Sequence, residues 1–252
     1  MVGRDDLVRS LNQLLAVEQF QDYCPNGLQI EGRAEIRKVV TGVTASLALI
    51  EQVLDEEADA LLVHHGFFWK GEPAPLTGMK GRRVRALIQK NINLIAYHLP
   101  LDAHPSLGNN AQLGALLGFK ISGDMQDAGW SPGLVGELPT AMSGDDFCQR
   151  LTQQLGREPL YFAGHTRPLQ RFAWCTGAAE GALVHAAELG VDAYISGEVS
   201  ERTLHEAREL GISYFSAGHH ATERGGVQAL ARWITQQWPA VDAQFIDDPN
   251  PV

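Results

Sequence analysis

The sequence predicts an α/β protein made of two related α/β lobes, each with a mainly parallel sheet covered by helices. Three observations predict it. Short runs rich in Val, Ile and Leu alternate with longer amphipathic stretches, the rhythm of strand–helix–strand units. The same order of elements occurs twice along the 252 residues. A gap-free shift of 133 positions superposes Asp59-Ala60 on Asp192-Ala193 and His64-His65 on Gly197-Glu198.

In the first half, residues 5–18 carry Leu7, Leu11, Leu14 and Leu15 at helical spacing with acids in the first turn, and read as an amphipathic helix. Cys24-Pro25-Asn26-Gly27 reads as a turn and Leu28 to Gly32 as a short edge strand. Residues 38–43 form a buried strand. Residues 46–57 form a helix with Leu47, Ile50, Val53 and Leu54 on one side. Residues 58–63 form a second strand ending in His64-His65. After a Gly/Pro-rich loop come a basic helix at 80–90 and a strand at 91–98. The second half repeats the order: a strand at 171–176, a helix at 179–189 and a strand at 191–196. A helix at 200–210 and a strand at 211–216 follow, leading to His219-His220.

Residue identities between the halves are few, so the duplication rests on the order of elements. The alternative is the generic likeness of any two strand–helix–strand stretches. Residues 126–165 break the rhythm: Gly129 to Pro139 is turn-rich, and a helix at 143–155 has Ser143 as N-cap. A boundary near residue 126 gives a first lobe over 1–126 and a second over 127–252. The last helix (223–237) and final strand (241–246) are able to pack with either half, including the first lobe.

Composition bounds the function. Hydrophobic residues make up 44% and charged residues 20%, which excludes a disordered or fibrous chain. A formal charge of −10 argues against broad charge-driven binding to nucleic acid or membranes. No stretch approaches the roughly 20 apolar residues of a membrane helix, and the early acids Asp5 and Asp6 do not suit a signal peptide. The expected location is the cytoplasm. Cys24, Cys148 and Cys175 form no CxxC pair and read as core or loop residues.

Ligands of parallel α/β sheets gather beyond the carboxyl ends of the strands. Here those ends carry metal-type residues. His64 and His65 end one strand. His98 ends the next, with Asp102 four residues on. His219 and His220 end the corresponding strand of the second half, with Glu223 four after His219. On a regular strand His64 and His65 would face opposite ways, but a turn at Gly66 lets both rings reach one cavity. Such a set suits zinc, iron, manganese, cobalt or nickel. A carboxylate has two oxygens with which to bridge two ions, and Glu223 is the candidate bridge. Thr222 is expected to cap the final helix, with Glu223 in its first turn. His104, His165, His185 and His205 sit in loops or on helices and read as surface or packing residues.

Leu62-Val63-His64-His65-Gly66, Tyr97-His98-Leu99-Pro100-Leu101-Asp102 and Ser216-Ala217-Gly218-His219-His220-Ala221-Thr222-Glu223 resemble signatures of the Nif-three-like family. Its bacterial members are called GTP cyclohydrolase I type 2 homologues. Asn26-Gly27-Leu28-Gln29 and Asn109-Asn110 also fit, and the length resembles the short YbgI-type members. The resemblance implies two related α/β lobes with a dinuclear metal site in the cleft between them. It implies His64, His65, Asp102, His219 and Glu223 as ligands of two divalent ions. His98 would sit close by, supporting the ligands or touching the substrate, and in a cyclohydrolase reaction it would move protons as acid or base. It further implies a ring-shaped homohexamer. His220 departs from the pattern, standing where a tyrosine is common.

The family name implies a purine nucleotide as substrate, opened at C8 with loss of formate. The sequence has no GxxxxGK[ST] and no clean GxGxxG motif. Weaker candidates for substrate contact are Arg224-Gly225-Gly226 at a helix start, the cluster Lys80, Arg82, Arg83 and Arg85, and Phe67-Phe68-Trp69. The basic cluster reads first as a solvated helix face. The aromatics read equally as a stacking surface or a subunit contact. Two other functions stay open: a two-metal phosphoesterase or nuclease linked to DNA damage, and a non-catalytic metal-binding regulator or adaptor.

Overall fold

A computed structural model of the chain describes residues 1–126 and 132–252. It begins with β1 (Val2–Gly3), α1 (Arg4–Leu14), β2 (Gly27–Ile30), β3 (Glu35–Ile36), β4 (Lys38–Thr44) and α2 (Leu47–Asp55). Next come β5 (Ala60–His65), α3 (Gly78–Gln89), β6 (Asn93–Ala96), α4 (Leu99–Ala103) and α5 (Asn109–Leu117). The middle contains β7 (Lys120–Asp124), β8 (Leu134–Met142), α6 (Gly144–Leu155), β9 (Leu160–Phe162) and β10 (Leu169–Cys175). The chain ends with α7 (Leu183–Glu188), β11 (Ala193–Ser196), α8 (Glu201–Leu210), β12 (Ser213–Ser216), α9 (His219–Gln237) and β13 (Asp242–Phe245). Two compact units result: Met1–Leu101 with Gly226–Pro249, and Asp102–Gly225 with Asn250–Val252.

The first unit has a five-stranded sheet in the order β13-β4-β5-β6-β2. The first four strands are parallel, and β2 pairs antiparallel with β6 at the edge. Residues 60–63 of β5 are all buried, as expected where helices cover both faces of a parallel sheet. Val40, Leu61, Val63 and Leu94 form one core with Leu49, Ile50 and Val53 of α2 and Val84 and Leu87 of α3. Ser46 caps α2 by accepting the Leu49 N–H at 3.0 Å.

The second unit has a six-stranded sheet in the order β7-β8-β10-β11-β12-β9. Here β10, β11 and β12 are parallel, flanked by antiparallel β8 and β9. Phe147, Phe172, Trp174 and Phe215 fill one core, and Tyr194, Tyr214, Leu183 and Ala207 another. Ser143 caps α6 as expected, accepting the Asp146 N–H at 3.1 Å.

The two sheets repeat one plan in detail. Val39 pairs with Ala60, and Phe172 with Ala193, each residue shifted by 133. Asp59 Oδ2 accepts the backbone N–H groups of Arg37 and Lys38 at 2.7 and 3.1 Å. Asp192 Oδ2 does the same for Gln170 and Arg171 at 3.0 and 2.9 Å, again shifted by 133. The left-handed residue before each of these strands is Glu57 (φ +52°) in one copy and Gly190 (φ +65°) in the other. Beyond β5 the correspondence moves to a shift of 120, pairing Asn93 with Ser213. The extra residues of the first copy lie between β5 and β6.

Several boundaries differ from expectation. The helix expected over 5–18 ends at Leu14, because Ala16 takes a left-handed φ of +47°. Leu134–Met142, within the segment read as turn-rich, is a strand. Pro139, which has no N–H to give, falls where the β8–β10 register slips between Leu169 and Arg171. The first part of that segment, 129–131, lies outside the described residues. Residues 102–126, placed with the first lobe from sequence, group with the second unit, where α5 packs on β7 and β8. Residues 226–249 group with the first unit, with β13 extending its sheet. Among the described residues, no helix is long and apolar enough to cross a membrane.

Candidate metal centre

In the first unit, His64 and His65 end β5, and three devices fix them. The chain turns at Gly66, where a Cβ would meet Gln29 Oε1 at 2.2 Å and the Ala96 Cβ at 2.7 Å. Gln29 Oε1 accepts the Phe67 N–H at 2.7 Å, so the NGLQ segment braces the turn. The fully buried His64 has Nδ1 2.9 Å from the Tyr97 carbonyl oxygen. His65 has Nδ1 3.1 Å from Thr44 Oγ1, across the β4–β5 register. The two imidazole centroids are 4.5 Å apart, so both rings reach one place, as the turn at Gly66 predicts.

His98 follows β6. Its N–H donates to Asn26 Oδ1 at 2.8 Å, and its Nδ1 lies 2.7 Å from Asp22 Oδ1. Its ring centroid is 5.1 Å from that of His64 and 5.8 Å from that of His65. One potential ligand atom from each of His64, His65 and His98 falls within a 4.8 Å cluster. Burial works against the charge on Asp22, but hydrogen bonds from His98 and Asn26 outweigh it and lower the carboxyl to about 2. Burial and the nearby Asp22 charge push the Cys24 thiol up to about 12, so it is no thiolate at neutral pH.

In the second unit, Asp102 lies on α4 with 7% exposure. Its Oδ1 accepts from Asn109 Nδ2 at 2.8 Å. Asn110 donates to the Asp102 carbonyl at 3.3 Å and accepts the Thr176 N–H at 3.0 Å. The Asn109-Asn110 pair therefore holds the aspartate from both its side chain and its backbone. His219 has Nδ1 2.6 Å from Glu198 Oε1 and Nε2 3.2 Å from Glu223 Oε2. Burial disfavours its protonation, yet the Glu223 and Glu198 carboxylates override this and raise it to about 9.

One expectation here is corrected. α9 starts at His219, not near residue 223. Gly218, at φ +99°, turns the chain directly from β12 into the helix. Thr222 is therefore inside the helix, where its Oγ1 donates to the His219 carbonyl and accepts the Gly177 N–H. His219 and Glu223 share a helix face at i and i+4. Arg224-Gly225-Gly226 is likewise helix interior and offers no open helix start. His220 is buried, and its N–H donates to the Val252 carbonyl.

Four histidines, His64, His65, His98 and His219, thus have Nδ1 engaged by a carbonyl, a hydroxyl and two carboxylates. Metal-binding histidines characteristically donate one ring N–H to such a partner and coordinate through the other nitrogen. For His64, His65 and His219, the expected ligands, that leaves Nε2 for a metal, and for His98 it leaves Nε2 as the working nitrogen. Imidazole and carboxylate donors fit zinc, iron, manganese, cobalt or nickel, so the residues suit the metals that the sequence suggests. Asp22 and Glu198 are partners that the sequence pattern does not disclose. Their only signal is position, Asp22 just ahead of the CPNG turn and Glu198 at the end of β11.

The sequence pattern of the Duf34/NIF3 (NGG1p interacting factor 3) family matches residues 2–251. The chain belongs to this family. A Vibrio cholerae relative named "GTP cyclohydrolase 1 type 2 homolog" is 50% identical over 244 residues, 96% of each chain. A Pseudomonas aeruginosa relative of the same name is 51% identical over 252 residues, 99% of each. Among solved structures, one described as "protein ybgI, unknown function" superposes with a TM-score of 0.95 at 46% identity, covering 100% of both chains.

The remaining candidates of this Duf34/NIF3 chain separate by environment. Phe67 is 4% exposed in the first unit's core, and Phe68 packs beside it with Lys80 over its ring. Trp69 turns to the histidines, its centroid 5.0 Å from His98 and 5.9 Å from His65. Its Nε1 donates to the Gly66 carbonyl at 3.2 Å. Arg82 and Arg85 are exposed, in keeping with a solvated helix face.

Proposed function

We propose that the chain is a dinuclear metal-dependent hydrolase of a cytoplasmic small molecule, with a purine nucleotide as the leading substrate class. His64, His65, Asp102, His219 and Glu223 are the proposed ligands, and Glu223 the proposed bridge. The carrying observation is the set of four histidines with Nδ1 engaged, those of His64, His98 and His219 by a carbonyl and two carboxylates that only accept, and that of His65 by the Thr44 hydroxyl. The relatives' printed name supports the nucleotide, and Trp69 offers an aromatic surface beside His65 and His98.

When bound, two divalent ions supply Lewis acidity and make hydroxide accessible at neutral pH. The chain's own part is to hold ligands at fixed tautomers, and to hold His98 where it moves a proton to or from the substrate. Trp69 orients a planar ring. The homohexamer implied by the resemblance belongs to the same proposal, and sedimentation tests it.

The deciding experiment is elemental analysis of protein purified without chelators or affinity metals, followed by a nucleotide hydrolysis screen with that metal restored. Metal-dependent formate release from GTP supports the reading. Inorganic phosphate or shortened oligonucleotide without formate would replace it with a phosphoesterase. Less than about one metal per chain, both native and reconstituted, would remove the metal centre.

A further inference from the structure

The CPNG turn and the residues before it have no part in the function proposed above, yet they build a dense polar network. The Asp22 side chain is 3% exposed. Its Oδ1 accepts from His98 Nδ1 at 2.7 Å and from the Tyr23 N–H at 2.6 Å. Its Oδ2 accepts from the Leu99 N–H and from Asn26 Nδ2, both at 2.9 Å. Asn26 closes the loop by accepting the His98 N–H through Oδ1. One carboxylate therefore serves four donors reaching it from the turn, from the end of β6 and from the start of α4.

An ionised carboxylate only accepts hydrogen bonds. The nitrogen facing it must carry the proton, which fixes the His98 tautomer without any hydrogen being observed. The Trp69 ring stands edge-on to His98 at 85° and further confines it. The second unit uses the same device, with Glu198 on Nδ1 of His219 at 2.6 Å. His64 and His65 have neutral partners there instead, a carbonyl and a hydroxyl.

We propose that Asp22 is a positioning residue of the metal centre: it holds His98 as the Nδ1–H tautomer with Nε2 directed to the histidine cluster, and it pins the start of α4, the helix bearing Asp102. Its purpose rests on the metal-centre reading; its geometry does not. With all four donors in place, Asp22 is a support for the centre and not a ligand.

The test is long-range proton–nitrogen NMR of the histidine rings, on metal-free protein and after addition of zinc alone. Wild-type His98 is expected as the Nδ1–H tautomer in both. Asp22→Asn has one acceptor oxygen for four donors. It is expected to lose the single tautomer and, because the Leu99 N–H at the start of α4 loses its carboxylate acceptor, to bind zinc up to about 10-fold more weakly through Asp102. Asn26→Ala removes the brace but keeps the carboxylate, and is expected to retain the tautomer. An Nε2–H tautomer in the wild type overturns the proposal, as does an unchanged His98 in Asp22→Asn. Loss of the tautomer in Asn26→Ala would assign the orientation to the turn and overturn it too. An Asp22→Asn protein with wild-type zinc affinity would overturn the link to the centre. If Asp22→Asn does not fold, the wild-type and Asn26→Ala spectra still decide. If wild-type protein takes up no zinc, the metal reading falls while the metal-free tautomer still judges Asp22.

Discussion

Gly177 offers the sharpest test of how the second unit holds Glu223. Its φ is +70°, and a Cβ there would lie 2.2 Å from Glu223 Oε1 and 3.2 Å from His219 Nε2. Gly156 provides the control, with φ +75° and nothing within 4 Å of where a Cβ would stand. Alanine at Gly156 meets only the left-handed backbone penalty, about 1 kcal/mol. Alanine at Gly177 meets the same penalty and must also drive the Glu223 oxygen back by about 1 Å to reach ordinary contact. That carboxylate is 3% exposed and forms an ion pair with His219 at 3.2 Å, so displacing it weakens a charged contact of about 1.5–3 kcal/mol. Gly177→Ala should therefore cost about 2.5–4 kcal/mol against about 1 for Gly156→Ala. Calorimetry in EDTA should show a Tm fall of about 2–4 °C per kcal/mol. A shift of about 1 Å also exceeds the tolerance of about 0.2 Å for a metal ligand, so zinc titration should separate the variants again. Equal losses of Tm, or unimpaired zinc binding by Gly177→Ala, would refute the reasoning.

Other perturbations test separate links. Glu57→Gly should stabilise the protein by about 0.5 kcal/mol, read as a small rise in Tm, because φ is +52° there and the second copy already has Gly190. Asp59→Ala strips the Arg37 and Lys38 N–H groups of their acceptor and should cost about 1–3 kcal/mol in urea unfolding. In metal-free protein, His219 is raised to about 9 by its carboxylates. The folded value exceeds the unfolded one of about 6.5. The stabilisation is thus complete below that pH and lost as pH climbs through 9, amounting to about 3 kcal/mol at most. Urea midpoints at rising pH should show this fall, and Glu198→Gln should shrink it. His98→Ala should keep bound metal and lose turnover; loss of both would make His98 a ligand.

The parallel strands are legible because burial on both faces leaves unbroken apolar runs, as in residues 60–63 and 193–195. The strands that escape lack that signal. β7 is exposed throughout, β9 spans three residues, and β8 contains Gly136 and Pro139. In the centre, histidines at strand ends and acids at i+4 show a local spacing that can be read along the chain. Asp22 meets His98 across 76 positions, and Glu198 meets His219 across 21. Only sheet registry and turns bring such partners together, so spacing does not reveal them. The start of α9 is hidden because Gly218 reads as loop, when its φ of +99° lets strand pass directly into helix.

The duplicated frame also explains why each copy presents different chemistry. A shift of 133 carries Thr44 to Gly177, His64 to Gly197 and His65 to Glu198. In the first copy Thr44 supplies the hydroxyl that holds His65. In the second, the same position must be bare, because any Cβ at Gly177 would strike the Glu223 carboxylate. His64 has room in the first copy. At Gly197 a Cβ would meet the His219 Cα at 2.6 Å and the Gly177 carbonyl at 2.6 Å, so the start of α9 occupies that space. His65 presents an imidazole, while Glu198 at the matching point holds one, through Nδ1 of His219. One backbone plan has thus taken two side-chain solutions: donors on the strand in the first copy, and donors on the following helix in the second. The glycines at 177, 197 and 218 are what the helix solution requires: a Cβ at 177 strikes the Glu223 carboxylate, one at 197 the backbone of His219, and one at 218 the Arg157 side chain.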